Sequence, residues 1–252
     1  MRNIKLTIQY DGSLFAGWQY QKDQITVQGS IMEALEEMLG ESVALKGAGR
    51  TDIGVHAMGQ VANFKTTKDY PLHQFRSGIN HYVRRGIQIS NAEEVGPYFH
   101  ARFSAKSKTY RYYLSRERYL HPILQKYRGQ YYGDLDFEKM EEASKILLGT
   151  HNFNAFHNDK KCHDRNHIRT LDELEIHGGE KEVLFIFKGE SFLRNMIRIL
   201  VGSLLEIGKG KRDITWLEKA LESHKRTDAG PRVGAEGLYL WEIEYSKNGF
   251  SK

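Results

Sequence analysis

The chain has 252 residues, 40% hydrophobic and 27% charged, with a formal net charge of +5. It is long enough for one large domain or two smaller ones with a substantial core, and its ordinary composition and mere four prolines leave no disordered or low-complexity stretch. The single cysteine, Cys162, excludes an intramolecular disulfide and fits a reducing compartment.

Ile4, Leu6, Ile8 and Tyr10 alternate with polar residues, which predicts a first strand. Such a start is no signal peptide, and no apolar run reaches the roughly 18 residues of a membrane span, so a cytoplasmic protein is expected. After the loop "DGSLFAGWQYQKDQ", a helix is predicted over 26–39: Thr26 can cap it, and Val27, Ile31, Leu35 and Met38 share a face. Two short strands follow, around 43–48 and 59–65, then a weaker helix "LHQFRSGINHYV" and a strand "RGIQISNAEEV". The second half repeats the rhythm: strand "KTYRYYLS", helix "DFEKMEEASKILLG", and a hairpin of "IRTLDELEIH" and "EVLFIFKGE" around Gly178-Gly179. An apolar helix over 192–207, with Arg194 and Arg198 on one face, the helix "DITWLEKALESH" and the strand "GLYLWEIEY" close the chain. The pattern reads as α+β, in two similar halves, 1–105 and 106–252, sharing a mainly antiparallel central sheet flanked by helices.

Residues 98–133 carry eight lysines and arginines (Arg102, Lys106, Lys108, Arg111, Arg116, Arg118, Lys126 and Arg128) against one acid, Glu117, together with eight of the fourteen tyrosines. That local +7 exceeds the charge of the whole chain, so the remainder is slightly acidic. Concentrated cations release counterions on meeting a polyanion, and tyrosine faces stack on bases, so a nucleic-acid partner is expected. In "KTYRYYL", Tyr110 and Tyr112 share one strand face, Arg111 and Tyr113 the other.

Between the two short strands of the first half lies "GAGRTDIGVHA", residues 47–57. It is not a dinucleotide fingerprint, because Gly54 comes too late after Gly47 and Gly49, and no Gly-Lys-Ser/Thr makes it a P-loop. Asp52 and His56 alone do not make a metal site. A second place to look is "CHDRNH", where Cys162, His163, Asp164 and His167 are possible zinc ligands, but Lys160, Lys161, Arg165 and Arg169 crowd them. Asp52 remains either a turn residue or a working carboxylate. The neighbouring Arg50 guanidinium favours the ionised form, and flanking glycines let the backbone bring it close to a ligand, which suits a nucleophile or base.

"GRTDIGVHAMGQVANF" resembles the signature of the TruA family of tRNA pseudouridine synthases, and "YDGSLFAGWQ", "TVQGSI", "FHARFSAKSKTYRYYL", "FLRNMIRILVGSLLEIGKG" and "AEGLYL" resemble its other blocks in family order, from about Tyr10 to Tyr245. The resemblance implies two ferredoxin-like halves, a homodimer with RNA crossing both subunits, and no metal or organic cofactor. It makes Asp52 the essential aspartate, acting as nucleophile at sugar or uracil or as the base at C2′. Tyr110 becomes the tyrosine on the target uracil, and Arg50 the aspartate's partner that helps hold the base out of the stack. Leu238 becomes an apolar wall of the pocket. Arg102, with Phe99, His100 and Phe103 beside it, falls in an RNA-contacting loop; Lys108 and Arg194 are further expected substrate contacts. The first half would carry the catalytic loop, and the second the RNA-binding and dimerisation elements.

The chain departs from the family pattern at Ile53, where a small residue is usual, at "NHYVRRGIQI", which lacks Leu-Pro and gains Arg84-Arg85, and at the basic tract "HNDKKCHDRNHIRT". The implied substrate is uridines 38–40 of the tRNA anticodon stem-loop, with another RNA, such as ribosomal RNA, as alternative. The competing classes are a non-catalytic RNA-binding protein and a metal-dependent RNA hydrolase using Asp52 and His56.

Overall fold

The computed structural model describes residues 1–158 and 166–246. In chain order its main elements are β1 (Arg2–Tyr10), α1 (Val27–Leu39), β2 (Lys46–Gly47), β3 (His56–Thr66), α2 (Leu72–Tyr82), β4 (Ile87–Val95), β5 (Ala105–Ser115), β6 (Gly129–Gln130), α3 (Phe137–Ile146), β7 (Gly149–Asn152), β8 (Ile168–Gly178), β9 (Glu182–Gly189), α4 (Met196–Gly208), α5 (Ile214–Ser223) and β10 (Leu238–Tyr245). The fold is α+β with a large, mostly antiparallel sheet, as its sequence pattern predicts. Two compact units divide it: residues up to Lys108 together with those from Tyr239 on, and Thr109–Leu238. Both β5 and β10 cross that division.

In the first unit β1 lies between β3 and β4, antiparallel to both. Its alternation sends Ile4, Leu6, Ile8 and Tyr10 into the core, each at most 5% exposed. Thr26 caps α1 by accepting the Gly29 N–H, and Gly40 ends it in the left-handed conformation with φ 70°. Val27, Ile31 and Leu35 are fully buried on one face of α1, joined by Ala34 and Leu39. Two expectations shift. The strand predicted over 43–48 is only Lys46–Gly47, and β3 begins at His56 rather than near 59. The cause is distant in sequence: His56 and Ala57 pair, in parallel, with Tyr239 and Leu240 of β10.

In the second unit the strands run β5, β9, β8, β7, with β6 paired in parallel to the end of β5. Tyr110, Tyr112 and Leu114 form the buried face of β5, while Arg111 and Tyr113 are half-buried. The β8–β9 turn is closed by the Gly179 N–H donating to Glu182 O at 2.9 Å. The apolar helix is shorter than predicted. Asn195 sits at φ 62°, left-handed backbone that stops a helix from running through it, so α4 starts at Met196. Arg194 therefore precedes the helix and shares no helix face with Arg198. Every residue of α4 except Glu206 is buried, which makes it a core helix. The tract holding Cys162, His163 and Asp164 lies outside the described residues.

Candidate active site

The loop 47–57 is held by buried groups from the strands and loop around it. Thr51 Oγ1 lies 2.8 Å from the hydroxyl of Tyr10. Its carbonyl accepts the Trp18 N–H at 3.1 Å, and Gln60 Nε2 donates to Gly49 O at 3.0 Å. Gln60 is fully buried and Thr51 nearly so. Burial pushes the Tyr10 phenol well above its ordinary range, so it stays neutral and serves as a hydrogen-bonding post. Within the loop the Val55 N–H donates to Asp52 O at 3.2 Å, closing a turn through Gly54 at φ 81°.

The 11–18 segment packs against this loop closely enough to need glycine twice. A Cβ on Gly12 would lie 2.0 Å from Val55 O, and Gly17, at φ 87°, would place one 2.9 Å from Thr51 O. His56 belongs to this packing. It is 2% exposed, stacks on Tyr239 at 4.7 Å between centroids, and accepts the Gly12 N–H at Nδ1 over 3.1 Å, with Asp11 Oδ1 3.3 Å from the same nitrogen. That nitrogen is thus committed to the 11–18 segment.

These supports leave Asp52 half-buried and Ile53 65% exposed. Arg50 is exposed at its guanidinium end, and its Nε donates to Gln19 Oε1 at 2.9 Å. Gln19 Nε2 in turn donates to Gln28 Oε1 at 2.7 Å, and Gln28 Nε2 to Leu45 O at 3.0 Å. Two hydrogen bonds therefore tie the arginine to helix α1, and a third ties that helix to Leu45. Lys108 reaches the same loop: its Cε lies 3.9 Å from where a Cβ on Gly49 would stand. The loop thus carries a carboxylate, Asp52, and a cation, Arg50, with the Lys108 stem beside Gly49, which places positive charge on the loop for work beside a polyanion.

Residues 98–104 belong to a second tied loop, the connection between β4 and β5. Phe99 turns inward, 7% exposed, with its ring 5.0 Å from Tyr245 and Lys5 Nζ 5.8 Å from its centroid. Phe103 is 74% exposed; the Arg102 guanidinium lies 5.5 Å from its ring centre and the His100 ring 4.5 Å away. Burial, and then the charge of Lys46, hold the His100 imidazole below its usual pKa. Of the residues singled out here, Phe99 supports the loop while His100, Arg102 and Phe103 form its outer surface.

In the second unit Tyr110 is 8% exposed, edge-on to Phe192 at 5.2 Å. Leu238, at the head of β10, is 6% exposed. Arg194 is exposed, and its carbonyl accepts the Asn158 N–H at 3.3 Å. Arg198 is 8% exposed and anchored, its Nε donating to Val233 O at 2.8 Å and its NH1 to Asn195 Oδ1 at 3.2 Å.

The sequence model of the family described as tRNA pseudouridine synthase matches residues 6–104 and 143–246. A tRNA pseudouridine synthase A of Finegoldia magna is 47% identical over 245 residues, covering 97% of this chain and 100% of that one. The chain belongs to the tRNA pseudouridine synthase family. Its resemblance to the TruA branch holds along the whole chain: a tRNA pseudouridine synthase A of Acetivibrio thermocellus is 42% identical, and a tRNA pseudouridine synthase A 2 of Bacillus cereus 39%, each over 97% of this chain and 100% of the other. A member of this family is an isomerase.

Within this synthase the sequence motifs pointed to the loop but not to its supports. Gln19, Gln28 and Gln60 carry the hydrogen bonds that hold it. A signal was present: Gln28 occupies a buried position in the first turn of α1, and Gln60 opens the apolar run "QVANF". Among the described residues no group of three His, Cys, Asp or Glu is placed to hold a metal ion, and no helix is long and apolar enough to cross a membrane. Of Arg84 and Arg85, Arg84 pairs with Glu33 at 3.7 Å on the surface.

Proposed function

We propose that this chain converts uridine to pseudouridine in tRNA, at positions 38–40 of the anticodon stem-loop, with Asp52 as the carboxylate that starts the reaction. The observation that carries the reading is the loop 47–57, whose Thr51 and Gly49 are fastened to Tyr10, Trp18 and Gln60 while Asp52 is left half-buried at its turn. A carboxylate on such a mount loses little freedom when it meets a substrate atom.

The chemistry is an isomerisation. The C1′–N1 bond of uridine breaks, the uracil turns, and a C1′–C5 bond forms; the C5 proton leaves and N1 gains one. Nothing is oxidised and no group is lost, so the balanced reaction requires no redox or group-carrying cofactor. Asp52 acts ionised, whether it attacks carbon or takes the C2′ proton. Tyr110 lies on the uracil and assists loss of the C5 proton, Leu238 walls the pocket, and Arg50 pairs with Asp52 and helps hold the target base out of the stack, an extrusion that costs a few kcal/mol. His100, Arg102, Phe103, Lys108 and Arg194 bind RNA. The protein works in the cytoplasm as a homodimer, with the catalytic loop in residues 1–105 and RNA-binding and dimerisation elements in 106–252.

Transfer RNA tritiated at uracil C5 tests this. Tritium release without strand cleavage, undiminished by excess EDTA on folded RNA and abolished in Asp52→Asn, is the expected result. Absence of release from tRNA overturns the substrate, and absence from every cellular RNA overturns the reaction. Mapping pseudouridine in a deletion strain checks positions 38–40, and sedimentation checks the dimer.

A further inference from the structure

A cleft of about 500 Å³ lies in the first unit, between the β2–β3 strand pair and residues 97–100. That is within the range of roughly 300–1,000 Å³ in which small-molecule sites fall. Its floor is rigid. Asn63 Nδ2 donates to Asn3 Oδ1 at 2.9 Å, and Asn63 Oδ1 accepts the Ala101 N–H at 2.8 Å. Asn3 Nδ2 donates to the carbonyls of Gly96 and Phe99, each at 3.0 Å. Both asparagines are buried, at 2% and 3% exposure, so the 96–101 segment is stitched to β1 and β3 from beneath.

On that stitched segment Tyr98 stands 89% exposed. At that exposure the faces of its ring are open for a base to stack on. Lys46 and Lys65 line the same cleft, both exposed, and among the described residues neither is ion-paired. The acid in the lining, Glu41, accepts a hydrogen bond from Thr66 Oγ1 at 3.4 Å. His100 also lines the cleft, and burial and then the charge of Lys46 hold its imidazole below the usual pKa, which disfavours a further cation there. Two lysines beside a bare tyrosine are the elements by which proteins take a single-stranded nucleic acid: cations for the phosphate, a ring for the base.

We propose that this cleft seats an unpaired nucleotide of the RNA substrate other than the uridine being isomerised, with its base on Tyr98 and its phosphate at Lys46 and Lys65. The inference rests on the reading that the substrate is RNA. It extends the RNA path from Arg102 and Phe103 onto the β2–β3 edge, and it gives that edge a part in choosing the substrate.

Fluorescence anisotropy of labelled tRNA with the full chain tests it, using Lys46→Ala/Lys65→Ala, Tyr98→Ala and, as a charge-matched control on exposed positions, Lys211→Ala/Lys219→Ala. The lysine pair variant should bind about tenfold more weakly near physiological salt, with a salt slope smaller by one to two. Tyr98→Ala should weaken binding by about tenfold with the slope unchanged. At saturating tRNA, kcat should stay within about twofold of the parent in both, since these residues bind rather than react. Binding equal to the parent chain, or a lysine-pair loss no greater than the control's, overturns the proposal. Tritium release by the unmodified chain reports separately on the RNA synthase reading, so an active parent with unaffected cleft variants removes the cleft alone.

Discussion

The loop carrying Asp52 and the basic, aromatic run 98–133 handle their polar groups in opposite ways. In the loop, backbone and hydroxyl groups meet buried partners from four separate stretches of chain: Tyr10, Trp18, Gln60 and, through Arg50 and the glutamines, Leu45. In the basic run four arginines, Arg102, Arg116, Arg118 and Arg128, lie near ring faces. Arg118 covers Tyr119 and Tyr132 at 5.5 and 5.7 Å, Arg116 covers Phe137 at 5.4 Å, and Arg128 lies 4.4 Å from the centre of Tyr113 while pairing with Glu182. Tyr119 and Tyr132 themselves are 82% and 63% exposed. The first arrangement fixes one geometry, as bond-making requires; the second keeps charge near the surface in side chains able to re-aim along a backbone of phosphates. It also means that the local +7 overstates the charge offered to a partner, since Arg128 is already matched by Glu182.

The contrast is sharpest at Asp52. Asp52→Asn should lower kcat by on the order of 10⁴-fold while leaving tRNA affinity and thermal stability near those of the parent, because it removes the carboxylate proposed to react and spares the mount. A loss of affinity equal to the loss of rate would make Asp52 a binding residue. Next, Tyr110→Phe should cost about 10²-fold in kcat, in the range of a lost proton-transfer partner, with little change in Kd; equal losses in both would make it structural. The mount itself is probed by Gly17→Ala. A side chain there meets Thr51 O at 2.9 Å from left-handed backbone, so unfolding should become easier by about 1–3 kcal/mol and kcat should fall through a displaced loop. Gln60→Ala should remove about 1–2 kcal/mol, read as a lower denaturation midpoint, because it takes the donor from the half-buried Gly49 O. At the small end, Arg118→Ala on the basic run should change stability by less than about 0.5 kcal/mol and reduce the salt slope of tRNA binding by no more than about one. An effect there as large as that of Gln60→Ala would erase the distinction between the two regions.

Much of this was legible from residue order because it is local. The alternation of Ile4, Leu6, Ile8 and Tyr10, and the Thr26 cap with its apolar α1 face, are short-range patterns and the structure follows them. The glycine-flanked carboxylate also stood out. What stayed hidden depends on distant partners or on single backbone states. Strands of two and four residues, β6 and β7, carry no period to detect. The early start of β3 needs β10, some 180 residues later. The late start of α4 turns on Asn195 in left-handed backbone, inside a run whose apolar pattern continues unbroken. The same holds for the loop's supports: a glutamine on an apolar face announces that it is satisfied, but not that its chain of partners ends at Arg50.

The return of β10 to the first unit bears on the order of events during synthesis. Residues 1–108 can collapse while the chain is still emerging, but their sheet lacks the strand that pairs with His56 and Ala57 until residue 240 has been made. Domains generally fold as they leave the ribosome, N-terminal parts first, and contacts of such long sequence separation close late. The strand bordering the Asp52 loop is thus completed last. On the proposed reading, a nascent chain would be kept from acting on RNA before its second unit exists, and ribosome-bound chains stalled before Tyr239 should release no tritium where the released full-length chain does.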